Sequence, residues 1–94
     1  MAPARASTSN SGTLSGVVVV RSGRLFFSQS GARNARPSCS IDRWVLDVTT
    51  SSGQAQAAVI LTAFTQNRLV HISGTGTCTD WPDTESVQEF YIDN

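Results

Sequence analysis

Two hydrophobic periods run along this chain, and the change from one to the other separates strands from a single helix. Val17-Val18-Val19-Val20 is a β-branched run behind Gly16, and Leu25-Phe26-Phe27 follows it across Arg21-Ser22-Gly23-Arg24. That arrangement predicts a β-hairpin whose turn uses the conformational freedom of Gly23. Ser28 to Ser40 contains Gly31, Asn34 and Pro37 with almost no apolar side chain, so it reads as a loop. Trp44, Leu46 and Val48 then recur at every second residue, with Arg43 and Asp47 on the opposite side, which predicts a half-buried third strand. Thr49-Thr50-Ser51-Ser52-Gly53 ends it.

From about Ser52 to Asn67 the residues are mostly good helix formers without proline, and Ser51 or Ser52 can cap the first amides. At about 100° per residue, Ala57, Ile60, Leu61 and Phe64 form one apolar face, and Val59 and Ala63 a second shoulder. Ala58, Thr62, Thr65 and Gln66 occupy the remaining side, and no charged residue lies between Ser51 and Gln66. A surface helix normally carries charge on its wet side, and so short a chain has little material to cover a second face. Ala55, Ala58, Val59, Thr62, Ala63 and Gln66 are therefore expected to face another subunit, with burial inside the domain as the alternative. Leu69 to Ile72 predicts a further strand, Ser73-Gly74-Thr75-Gly76-Thr77 a bulge or turn, and Trp81-Pro82-Asp83 a turn. Ser86 to Asp93 predicts the last strand, with Phe90 and Ile92 inward. The expected fold is mainly β with one α-helix, a small OB-like β-barrel of about five strands. Residues 1–11 are expected to be a disordered arm, and residues 12–94 the single OB-like domain.

Charge narrows the function classes. Seven arginines and no lysine balance seven acidic residues in 94, and charged residues make up 15%. There is no cationic surplus for non-specific nucleic-acid binding, and no apolar run approaches the roughly 20 residues that cross a bilayer, so no membrane insertion is expected. The two cysteines, Cys39 and Cys78, either pair or stay as buried thiols. Their even number and the small size of the chain favour a disulfide, and with it a secreted or periplasmic location. With only His71 to join them, they make no zinc site, and neither a metal nor another cofactor is expected.

His71 lies at a period-two position in a strand and reads as a strand-edge histidine rather than a catalytic base. Asp80, Asp83 and Glu85 lack the spacing of a calcium loop and read as a solvated acidic loop. No nucleophile, base and orienting group can be assembled, so an enzyme is not expected. Polar side chains able to hold a sugar cluster after the hairpin, at Ser28, Ser30, Arg33 and Asn34, and Trp81 could stack on a sugar face. A guanidinium at Arg33 would suit the carboxylate of a sialylated glycan.

The order of elements, with a helix leaving through Leu61-Thr62-Ala63-Phe64-Thr65-Gln66-Asn67-Arg68-Leu69-Val70 into a cysteine-bearing strand and Trp81, resembles the binding subunits of bacterial AB-type toxins of the cholera and subtilase cytotoxin families. The resemblance spans Val17 to Asp93. It implies an oligomer-binding fold, an intrachain disulfide and a helix lining the hole of a homopentameric ring. It also implies a secreted lectin that binds a cell-surface glycan and carries an enzymatic partner subunit. Cys39 departs from the cholera pattern by following the first hairpin instead of lying near the N-terminus. The alternative is a stand-alone exported structural or protein-binding domain.

Overall fold

The computed structural model describes residues 7–93. Seven strands and one helix follow in the order β1 Thr8–Gly12, β2 Leu14–Val20, β3 Arg24–Gln29, β4 Arg33–Asn34, β5 Trp44–Asp47, α1 Ser51–Thr65, β6 Val70–Gly74 and β7 Glu85–Ile92. The expectation of a mainly β chain with one helix is met. The expected disordered arm lies mostly in residues outside the description, but Thr8 to Ser11 belong to β1 and not to an arm. Their side chains are short and polar, so no hydrophobic alternation announces the strand.

The strands form one mixed sheet in the order β2-β3-β5-β7-β6-β1-β4, antiparallel throughout except for the parallel pair β5 and β7. Only Thr13 separates β1 from β2, so these are halves of one bent strand. At the bend, a side chain on Gly12 would run into the backbone of Gly31, which explains the glycine pair. Amides on both sides keep the hairpin paired across it, with Ser30 N donating to Thr13 O at 3.0 Å and Asn10 N to Ala32 O at 2.8 Å. The first strand is thus used at both ends of the sheet order. The ladder itself stops at β2 and β4, so the closed barrel is replaced by an OB-like, partly open sheet that curls back toward its own first strand.

The core lies between the inner sheet face and α1 and contains Leu14, Leu25, Phe27, Trp44, Leu46, Ala57, Ile60, Ala63, Val70, Ile72 and Val87, with Phe90 and Ile92 packed against it. Helix α1 presents Gly53, Ala57, Ile60 and Ala63 to this core. The expected inward residues Leu61 and Phe64 are instead about two-fifths exposed, while Ala63, expected at an intersubunit contact, is fully buried in its own domain. Gly53 sets this phase: a Cβ there would overlap the Asp47 carbonyl oxygen, so the helix touches the end of β5 through its one side-chain-free position. Thr50, not Ser51 or Ser52, caps the helix, its hydroxyl accepting from Gly53 N at 3.0 Å. At the other end Asn67 takes φ 54°, and Arg68 N donates to Ala63 O while Asn67 N donates to Phe64 O, a Schellman ending.

Strand β5 is buried on both faces, because Val45 has no exposed surface. On that outer face Phe26 pairs with Val45 in register and meets Trp81 edge-on at 5.0 Å, and the Arg43 guanidinium lies 4.1 Å above the Phe26 ring. The loops that cover this second, smaller core are joined by the Cys39–Cys78 disulfide, whose Cα atoms are 6.3 Å apart.

Candidate functional site

The residues expected to hold a sugar do not converge. Arg33 opens β4, and its guanidinium is turned inward with 6% of the side chain exposed. Its Nη2 donates to Glu85 Oε1 at 2.7 Å, its Nη1 donates to the Arg43 carbonyl at 3.1 Å, and the plane stacks 3.9 Å from the Trp44 ring centroid. An arginine held on three sides in this way is a structural cation, not a clamp for a sugar carboxylate. Ser30 is exposed, and its hydroxyl accepts from Thr13 N at 2.9 Å, supporting the strand bend. Asn34 is exposed at the end of β4, Ser28 is half-buried in β3, and Trp81 is half-buried against Phe26.

Glu85 is the partner that sequence reading missed. Placed in a solvated acidic loop by composition, it instead begins β7 with no exposed surface. Its carboxylate receives Arg33, the Ser7 hydroxyl and the Gly76 amide, the last at 2.8 Å, while its own amide donates to Ser40 Oγ at 2.8 Å. Burial pushes this carboxyl up, but the hydrogen bonds from Ser7 and Arg33, joined by the Gly76 and Ser7 amides, outweigh it and hold the pKa below the ordinary value. The hub therefore ties three separate stretches of chain, at Ser7, Arg33 and Gly76, to one buried charge. Gly74 makes room for it, since a Cβ at that position would overlap the Glu85 carboxylate.

Two surfaces carry exposed apolar groups without charge. On α1, Val59, Leu61 and Phe64 are 44%, 39% and 40% exposed, and Ala55, Ala58, Thr62, Thr65 and Gln66 also face solvent. Of the six helix positions expected at a subunit contact, five lie on this outer side, and Ala63 does not. A groove of about 280 Å³ runs beside them between α1 and β7, lined by Ala55, Gln56, Val59, Glu89 and Phe90. The second surface is β2, which ends the sheet order with one edge unpaired among the described residues and leaves Val18 and Val19 49% and 61% exposed.

The outer face of β6 and β7 holds His71 opposite Tyr91, their rings stacked at 4.9 Å with a 14° tilt. Asp93 closes this row, with Oδ2 accepting from Ser11 Oγ at 2.6 Å and lying 3.0 Å from His71 Nδ1. Among the described residues no group of three or more His, Cys, Asp or Glu side chains is arranged to hold a metal ion, and no helix is long and apolar enough to cross a membrane. Compared with known proteins, the chain matches no family model, no curated protein and no solved structure.

Proposed function

We propose that this chain is an exported, non-catalytic binding subunit that assembles head to tail with copies of itself into a ring. A ring requires two different surfaces on each subunit, because a single self-complementary patch stops at a dimer. The observation that carries the reading is a pair of surfaces on separate elements that no described residue covers, the uncharged outer face of α1 and the open edge of β2 with its exposed valines. An unpaired edge strand of this length and hydrophobicity invites strand addition, and native chains usually blunt such edges with charge. The disulfide supports an oxidising destination outside the cytosol.

The resemblance to toxin binding subunits extends the reading to its cargo and ligand. It makes the ring a homopentamer with a cell-surface glycan as ligand and an enzymatic subunit as passenger, and the OB-like sheet with its single helix is compatible with that role. Substituting Ala58→Glu places a charge in the middle of the outer helix face without touching the core. Sedimentation of the variant at micromolar concentration is expected to show monomer where the unmodified chain shows a closed oligomer. Identical sedimentation of the two would remove α1 from the interface.

A further inference from the structure

Strand β7 has β6 beside it along its length, but β5 accompanies it only at Glu85 and Ser86, opposite Trp44 and Val45. From Val87 onward no described strand stands on that side. Asp93 N donates to Leu69 O at 2.7 Å, which makes Leu69 and Asp93 a hydrogen-bonded pair of the antiparallel ladder. Bonding alternates along such a ladder, so the amides and carbonyls of Phe90 and Ile92 point away from β6, toward the side that β5 has left. Val70 and Ile72, opposite them, point the other way by the same rule, and Ile72 N does donate to Ser9 Oγ of β1 at 3.1 Å. The far end of β7 is therefore an edge ready to accept a strand.

The apolar groove between α1 and β7 lies along this edge. Gln56 Nε2 donates to the Gln88 carbonyl at 3.1 Å and closes the edge at that point, which leaves it open from Glu89 onward. Strand β2 has the complementary deficit: β3 pairs with one side of it, and no described strand pairs with the other. Resting on the ring reading, we propose that β2 of one copy adds antiparallel to the Phe90 to Ile92 edge of β7 in the next copy, beside the α1 groove, with Arg21 of the first meeting Glu89 of the second.

Charge sets the direction of the added strand. Arg21 directly follows β2, Glu89 is the one charged residue of the groove, and both are exposed without an ionic partner among the described residues. Antiparallel addition brings Arg21 to Glu89 and runs Val20, Val19 and Val18 past Phe90 to Ile92, so the exposed valines leave water beside Val59. Parallel addition would carry Arg21 to the Asp93 end, where the carboxylate already holds the Ser11 hydroxyl and lies beside His71. The edge, the groove and the lone acid thus fit a second copy of this chain. Donor and acceptor strands differ, so each docked copy presents a fresh β2 and a fresh β7 to the next.

The test uses the full, oxidised chain, with sedimentation across concentration and hydrogen exchange of the backbone amides. Arg21→Glu and Glu89→Arg alone should each raise the concentration at which the oligomer dissociates about tenfold or more, and the double reversal should return it to within about threefold of the unmodified chain. Both residues are exposed, so neither change enters the core. Val19→Lys, a charge on the donor edge, should give monomer, and the Phe90 and Ile92 amides should gain protection only in the assembled state. An oligomer indifferent to both single reversals, with those two amides unprotected, overturns this docking and leaves the ring reading standing. A double reversal as weak as the single ones overturns the antiparallel register. An unmodified chain that stays monomeric overturns the ring reading and the docking together.

Discussion

A carboxylate without exposed surface survives in a folded chain only when neighbouring groups replace the water it has lost, and Glu85 is supplied by Arg33, Ser7 and the Gly76 amide. Removing the carboxylate strands the Arg33 cation in the interior. Glu85→Ala is expected to cost about 3–5 kcal/mol in urea unfolding, the penalty of breaking one half of a buried pair. Because the folded-state pKa of Glu85 lies below its ordinary 4.5, its stabilisation is complete above that pH and disappears as pH falls through the lowered value. Asp47 adds to the same trend, held low by the hydroxyl and amide of Thr49, which outweigh the upward push of burial, with Arg24 adding the least. Urea midpoints measured at pH 7 and at successively lower pH should therefore fall in the unmodified chain once the pH is below 4.5, and Glu85→Gln should flatten that fall. A midpoint indifferent to acid would contradict the hub. Gly53 is the second residue with a sharp expectation. Alanine is the better helix former by about 1 kcal/mol, yet its Cβ meets the Asp47 carbonyl, so Gly53→Ala should destabilise by about 1–3 kcal/mol or more.

At the scale of elements, helix α1 depends on its cap and on its phase. Thr50→Ala removes the hydroxyl that accepts from Gly53 N and is expected to cost about 1 kcal/mol, or about 4–8 °C in Tm for a chain of this size. The disulfide closes a separation of 39 residues, for which chain entropy predicts about 4 kcal/mol. A Cys39→Ser, Cys78→Ser double variant should lose about that much and loosen Trp81 from Phe26, visible as a red shift in tryptophan emission.

The hairpin, β5, the helix and the last strand were legible in the sequence because each carries its own hydrophobic period. Strand β1 was not, since Thr8-Ser9-Asn10-Ser11-Gly12 is held by its neighbours β6 and β4 instead of by apolar side chains. The phase of α1 was shifted because a glycine contact, which no hydrophobicity pattern encodes, turns Ala63 inward and Phe64 outward. The surroundings of Arg33 were hidden for a similar reason. Arg33 looks like a surface cation until a carboxylate 52 residues away in sequence is brought to it.

For the whole molecule, the two cores and the hub leave a sheet with exposed apolar groups on α1 and β2. Exposed Val59, Leu61 and Phe64 on one element and Val18 and Val19 on another are costly for a chain that stays alone in water, and no charged residue lies beside the helix group from Ser51 to Gln66. Head-to-tail contact would remove both from solvent at once and return every subunit to the same environment, which is the condition for a closed ring. Assembly is the central claim, and the mass of the native particle tests it most directly. Each chain weighs 10.0 kDa, so native mass spectrometry or light scattering of the oxidised protein should give a single species near five times that value. A particle of one chain mass across the micromolar range would contradict it.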